Sequence, residues 1–528
     1  MRIHSCILLG ACLSVARAVA GPALPAAGDA RTDLSSRESE PVTRTQSRLR
    51  LQATEASVEG LRLLQRVVAQ SGRWELAVLS ERDPGERLWR DHAVGYVLRR
   101  GERTDLTIGH LRPAFGQGLL HGRSRSTSIP STSPRRDGAV LGYRSAAEGR
   151  TVDGAAITRR QPDWTATGIV GVLRWDARVD DGGTARSLPE DGDHSGSGAS
   201  TRAGLHGRIA AGRWAVHTPH ADLGFTVQRL FFQRAVDLRR DEIPSGFFGR
   251  RLSCAAVDVH VRRGAVRWYA AAARAGRRLG ALAGLSGLVA AGTRIDLIGR
   301  WYDPGYFAPL GAAASGADMA DEHGLTVQAR ARGWRLWMDA TMRPAPRWRQ
   351  PLPAWKRGGG VHLTRRSRHG EWTGDLQRRE RSLWTGGSPG HESTHRVRLQ
   401  GRWSRDELRL TARVDGVDYR KVMRTAAVTA LQGAAGSTAL RWRHRRLQIE
   451  GLVTLFDTGG YAARIYEYEP ELPQAISIRP LYGRGLRLVG VLRATLGPVR
   501  VSLRWRLENR TGLRHAVGLQ IDSVPGSR

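Results

Sequence analysis

Lysine, asparagine and cysteine are nearly missing from these 528 residues. Cys6, Cys12 and Cys254 are the only cysteines. The first two lie in a stretch that reads as a secretory signal peptide over residues 1–20. Arg2 precedes an apolar run from Cys6 to Val15, and Ala18-Val19-Ala20 form a small-residue exit before Gly21. A lipobox at Leu9-Gly10-Ala11-Cys12 is the alternative, but the apolar run ahead of it is too short. Export leaves Cys254 alone, which excludes an intramolecular disulfide and any cysteine-based metal site. Long apolar runs are missing too. Stretches such as 270–288 are interrupted by Arg274, Arg277 and Arg278, so nothing reaches the roughly 18 residues that a membrane-spanning helix needs.

Charge of one sign dominates: the formal net charge is +34. A balance this basic points towards nucleic acid or an anionic surface. Lys356 and Lys421 are the only lysines, however, and Asn509 the only asparagine. Arginine therefore stands wherever a polar residue is tolerated, as a biased nucleotide composition would place it. The excess reads first as a solvated arginine-rich face and only then as a site for anions.

What the chain does have is a two-residue period. In Val499-Arg-Val-Ser-Leu-Arg-Trp-Arg506, Val499, Val501, Leu503 and Trp505 share one face, and Arg500, Ser502, Arg504 and Arg506 the other. The same alternation sets Val397, Leu399 and Trp403 against Arg396, Arg398, Gln400 and Arg402. It also sets Leu440 and Trp442 against Arg441, Arg443 and Arg445. Strand candidates recur from 61–70 to 513–522, with one at 138–148, and many reach the about nine to eleven residues that a tilted strand needs to cross a bilayer. Long polar linkers (179–202, 235–249, 303–323, 343–357, 381–392, 419–436, 457–484) alternate with tight joins such as Gly333 and Gly497-Pro498. Only 113–137 breaks that rule, as an inward-folded loop would.

These features predict an all-β fold, a transmembrane antiparallel up-and-down barrel of roughly 20–24 strands. It would occupy 61–528, behind a flexible leader at 21–60 with a helical turn near 46–58. Tryptophans at 164, 175, 214, 268, 301, 403, 442 and 505 are candidates for an interfacial girdle. Arg396, Arg398, Arg402, Arg441, Arg443, Arg500, Arg504 and Arg506 would face the lumen. On that assignment Leu503→Arg should cost about 2–4 kcal/mol near mid-bilayer, and Arg504→Leu far less.

Two enzyme patterns occur and fail on context. Gly386-Gly-Ser-Pro-Gly390 matches a nucleophile elbow, but Pro389 has no N–H to give an oxyanion hole. His391-Glu-Ser-Thr-His395 matches a zinc motif that requires a helix, whereas strand alternation starts at Arg396. In an extended chain its two histidines lie roughly 13 Å apart, too far to share one ion. His217 and His220 fall at a turn. Neither a catalytic residue nor a metal or cofactor is assigned.

Four blocks carry a resemblance: Glu81-Arg-Asp-Pro-Gly-Glu86; Arg112-Pro-Ala-Phe-Gly-Gln-Gly-Leu-Leu120; Arg300-Trp-Tyr-Asp-Pro-Gly-Tyr306 with Asp321-Glu-His-Gly324; and Phe456-Asp-Thr-Gly-Gly-Tyr-Ala-Ala-Arg-Ile-Tyr-Glu-Tyr-Glu-Pro470 with Leu481-Tyr-Gly-Arg-Gly485. In this order they resemble the predicted outer-membrane barrel regions of bacterial proteins that carry an N-terminal helix-hairpin-helix module. The resemblance implies a location and a fold, and no reaction. Residues 21–60 show no such module, so a nucleic-acid partner is not inherited. The chain ends at Gln520-Ile-Asp-Ser-Val-Pro-Gly-Ser-Arg528 without the final aromatic residue typical of barrel assembly signals.

Within the last block, Arg464, Tyr466, Glu467, Tyr468 and Glu469 form a loop cluster with two readings. One is a ligand surface. The other, favoured here, is a loop packed into or over the barrel mouth. The expected function is a non-enzymatic outer-membrane barrel that binds or passes anionic molecules, with a plugged structural or anchoring barrel as the alternative and an outer-membrane hydrolase as the lesser one. Its expected partners are outer-membrane lipid, the barrel-assembly machinery and an anionic solute or polymer.

Overall fold

The computed structural model describes residues 44–54, 60–86, 92–122, 140–145, 151–189, 201–239, 246–290, 292–315, 319–346, 350–385 and 387–523. The signal-peptide assignment and the C-terminal tail lie outside them. The strands form a closed antiparallel barrel of 24 members, at the upper end of the expected range. Closure runs between the first strand, Arg44–Thr54, and the last, Leu513–Ser523, with Leu49 opposite Ile521 and Leu51 opposite Leu519.

That first strand corrects the expectation of a flexible leader reaching residue 60 with a helical turn near 46–58. Arg48, Arg50 and Gln52 alternate with Leu49, Leu51 and Ala53. The period is present, but only two bulky apolar residues mark it. Pairing with Leu61–Ser71 on one side and Leu513–Ser523 on the other supplies backbone partners that the sequence of the segment alone does not reveal.

The 138–148 candidate is also corrected, since among its described residues, 140–145, only Leu141–Gly142 pair. Residues 113–151 thus form one connection between Thr104–Arg112 and Val152–Arg160, which pair directly. With one strand gained at 44–54 and one lost at 138–148, this connection falls at the long-loop end and the exception disappears. The joins at 72–73, 161–163, 264–265, 332–333, 406–407, 445–446 and 497–498 all lie at the other end.

The described residues of the supposed linkers 381–392 and 419–436 are strand apart from tight turns at 387 and 424–425. Gly370–Thr385 (16 residues), Ser388–Arg405 (18) and Ala426–His444 (19) run well past the length needed to cross a bilayer. Polar residues continue the ladder there because the backbone hydrogen bonds do not depend on an apolar outer face.

The two faces differ as the period requires. Leu503, Trp505 and Leu507 point outward and are exposed, while Ser502, Arg504 and Arg506 between them are buried inside. Gly490, opposite Trp505, leaves room for the indole, and a Cβ there would lie 1.9 Å from it. Exposed outward residues continue around the wall as Val170, Leu223, Leu297, Leu336, Leu399 and Val453. Of the girdle candidates, Trp214, Trp268, Trp301, Trp403 and Trp505 are exposed on this face, but Trp175 is buried, packed inward against Phe232.

Candidate functional site in the barrel lumen

Connections from the long-loop end fold back into the barrel and divide the lumen into two unlike halves. In the first half, Phe115, Leu119 and Leu120 pack with Tyr306, Leu310 and Ala313. The two segments are tied by Gly122 N–H to the Leu310 carbonyl, 2.9 Å, and Ala312 N–H to the Gly118 carbonyl, 2.9 Å. The Tyr306 hydroxyl donates to the Leu119 carbonyl, 3.1 Å. Against them the inner wall is apolar: Leu173, Ile209, Leu230, Leu252, Tyr269 and Ile298 are all buried. The expectation of a wet, basic interior therefore fails in this half, because the inserted segments cover the wall and apolar contact replaces hydration.

Two charged groups fix the insert. Arg213 pairs with Asp258 at 2.8 Å and lies 5.5 Å above the Phe115 ring. Gly116, at φ 49°, approaches so closely that a Cβ would lie 2.5 Å from the Asp258 carboxylate. His121 is fully buried, edge-on to Phe115, and neither ring nitrogen finds a hydrogen-bond partner among the described residues. Burial, with some help from the Arg213 charge, lowers its pKa to about 3. Burial pushes the Tyr306 hydroxyl well above its ordinary value.

The second half holds the hairpin Ile465–Glu469 with Ser477–Leu481, inside a wall of arginines. Arg398 and Arg413 both donate to the Tyr466 carbonyl, at 3.1 and 2.9 Å. Glu467 accepts from the Thr454 hydroxyl, 2.7 Å, and its burial raises its pKa. Glu469 bridges two wall arginines, Arg487 at 2.9 Å and Arg504 at 2.7 Å. Glu471 lies 3.3 Å from Arg504. Arg50 donates to the Pro473 carbonyl, 2.8 Å, and Arg48 and Arg66 to the Gln474 side chain, at 2.9 and 2.7 Å.

The 464–469 cluster is thus split. Glu467 and Glu469 are buried anchors to the wall, whereas Tyr468 is exposed. Arg464 and Tyr466 turn to the remaining space, with Arg464 Nε donating to the Tyr466 hydroxyl at 2.8 Å. The expected lumen arginines also divide. Arg402 pairs with Glu371 at 3.2 Å and Arg441 with Glu450 at 2.8 Å, near the short-turn end. Arg443 donates to Gln448, 3.0 Å. Arg500 is half-buried in the last turn of the wall. Arg504 is a structural ion-pair partner, which overturns the expectation that its removal is cheap. Arg506 is buried, and its Nε and Nη1 find no hydrogen-bond partner among the described residues.

Arg396 differs from the rest. Its guanidinium lies 5.8 Å above the Tyr466 ring, its buried Nε finds no hydrogen-bond partner among the described residues, and Arg379, Arg464 and Arg398 act on it as like charges. Arg398 is itself held by Asp415 at 2.7 Å. Arg396 and Arg464 thus lie over the Tyr466 ring, and Arg398 and Arg413 hold its carbonyl. Arg379, Arg48, Arg413 and Arg487 were not singled out by the sequence. Strand parity, carried over from Arg396 and Arg504 through the ladder, is the signal that finds them.

The enzyme patterns dissolve into a hairpin. Gly387 makes the turn at φ 76°, Ser388 opens the next strand, and His391 and His395 stand along it in extended chain. Among the described residues no group of three His, Cys, Asp or Glu is placed to hold a metal ion.

No protein-family profile matches the sequence, and no curated protein matches it. Solved structures do. The siderophore receptor PirA from Pseudomonas aeruginosa is 8% identical with a TM-score of 0.42, over 93% of this chain and 81% of that one. The FrpB iron transporter from Neisseria meningitidis is 10% identical, TM-score 0.40, over 91% and 81%. OccK5 (OpdH) from Pseudomonas aeruginosa is 9% identical, TM-score 0.31, over 91% and 96%.

Proposed function

We propose that the chain is a porin-like, non-enzymatic outer-membrane barrel whose second half-lumen binds or passes anionic molecules. Its outward wall would contact outer-membrane lipid, and insertion would rely on the barrel-assembly machinery. The observation that carries the anion reading is Arg396, whose buried Nε finds no hydrogen-bond partner among the described residues while Arg379, Arg398 and Arg464 act on it as like charges. Like charges held together by the barrel wall repel one another, and an anion between them relieves that repulsion. Tyr466 adds a flat apolar surface beside the charge.

The packed first half favours a second reading, a barrel closed by its own inserts with a structural or anchoring role. Currents through planar bilayers in KCl separate the two. On the first reading inorganic phosphate reduces the current, and Arg396→Gln removes that sensitivity. Absence of any current supports the closed barrel, and current blind to phosphate in both proteins overturns the Arg396 site. The resemblance to barrels of helix-hairpin-helix proteins belongs to the same proposal, and nothing in it adds a nucleic-acid partner.

A further inference from the structure

A groove of about 520 Å³ lies on the outward wall across Glu322–Ala331, Trp334–Arg343, Ala354–Arg366 and Gly370–Thr385. Its sides are Leu325, Val327 and Met338, and its floor is Ala340 and Gly359, where the wall carries almost no side chain. Leu363 and Leu376 continue the exposed apolar surface away from the long-loop end. Towards that end the character changes abruptly. Arg378 stands opposite Gly359, and Glu380 opposite Arg357. Both arginines converge on the one carboxylate: Arg357 Nε lies 2.5 Å from Glu380 Oε2 and Arg378 Nε 2.7 Å from Oε1. Their side chains are nevertheless 66% and 62% exposed. Trp355, one step further along the same face, lies 5.1 Å from the Arg357 guanidinium.

Two cations sharing one anion leave a net positive charge above an apolar channel, beside an indole of the type that sits at a lipid–water boundary. We propose that this groove holds one phosphate-bearing membrane lipid, its acyl chain laid over Gly359 between Leu325 and Met338 and its phosphate on Arg357 and Arg378. Glu380 keeps both guanidinium groups in place, and the terminal nitrogens of Arg357 stay open to a phosphate oxygen. A lipid fits better than a soluble anion because charge and apolar channel are contiguous on the outer wall. The inference rests on the reading of that wall as lipid-facing.

Native mass spectrometry of the full chain, released from detergent with phosphatidylglycerol or phosphatidylcholine added, tests it. The natural protein should retain one phosphatidylglycerol in preference to phosphatidylcholine. Arg357→Gln with Arg378→Gln should lower that preference about thirtyfold, the loss expected for two arginines at an anionic surface. Gly359→Leu, with the charges intact, should weaken retention of both lipids by filling the floor. Millimolar inorganic phosphate should displace neither. Equal retention of the two lipids by the natural protein, an unchanged preference in the double variant, or displacement by phosphate would overturn the proposal. Heat-modifiable migration of each protein on a gel is measured alongside. A folded barrel that fails to discriminate defeats the lipid site alone, whereas a natural protein that never enters vesicles defeats the lipid-facing wall itself.

Discussion

Glu469, at the tip end of an inserted strand, lies 2.7 Å from Arg504 on the wall, and both are almost completely shielded from water. The pair joins a loop to the strand face on which the alternation is clearest, and it makes that arginine part of the fold. Arg504→Leu should leave Glu469 with Arg487 and the more distant Arg479, and Glu471 with no nearby guanidinium from that strand. The cost should fall below the roughly 3–5 kcal/mol of a buried charge left wholly unpaired, because Arg487 and Arg479 remain. Protease cleavage within 459–482 should rise in detergent, and it should rise further when Arg487→Leu is added, since Glu469 then keeps only the distant Arg479.

Leu503→Arg tests the opposite face. An arginine on the lipid side near mid-bilayer should cost about 2–4 kcal/mol, read from urea titrations of the barrel folded into vesicles. Since Arg504→Leu is also costly, the two are told apart by where the damage appears. Leu503→Arg should lower insertion, whereas Arg504→Leu should loosen the insert in a barrel that still inserts.

The inserts should respond to pH with opposite signs. His121 has a pKa lowered to about 3, so it stays neutral in place and takes up a proton only when released. Stability of the 113–122 segment is therefore lost as pH falls from the ordinary histidine value of 6.5 towards 3. Glu467 has a raised pKa, so its segment gains stability as pH falls through that raised value and stays level below the ordinary 4.5. Hydrogen exchange on the two segments between pH 7 and 4 should show protection falling around 115–121 and rising around 465–469. His121→Phe should abolish the first change only.

Gly116→Val should expel the same segment by sterics. Its left-handed backbone disfavours a branched side chain, and the Asp258 carboxylate occupies the space. A cost of about 1–3 kcal/mol is expected, seen as new cleavage within 113–122 while the strands stay protected.

The architecture was legible because one face of each strand must be apolar, and a period of two survives any choice of polar residue on the other. Leu503 and Trp505 against Arg504 and Arg506 already contain the wall. The first strand was missed because Leu49 and Leu51 are its only bulky outward residues, and its identity depends on partners at 61–71 and 513–523. Residues 138–148 misled for the converse reason, since a short alternating run can lie in an insert. The candidate site was legible only in parts. Arg464, Tyr466 and Glu469 stand out in their loop, but their grip by Arg398, Arg413 and Arg487 is a matter of folding back into the lumen, which local pattern does not encode. Similarly, composition alone suggested an arginine-lined interior throughout, whereas Phe115, Leu119 and Leu310 dry out half of it.

The reversal potential of the natural protein in a planar bilayer, under a tenfold KCl gradient, tests the central claim most directly. A lumen in which Arg396 carries an unanswered positive charge should pass chloride in preference to potassium, with the potential displaced towards the chloride value and shifted back by Arg396→Glu. A potential on the potassium side would contradict the account.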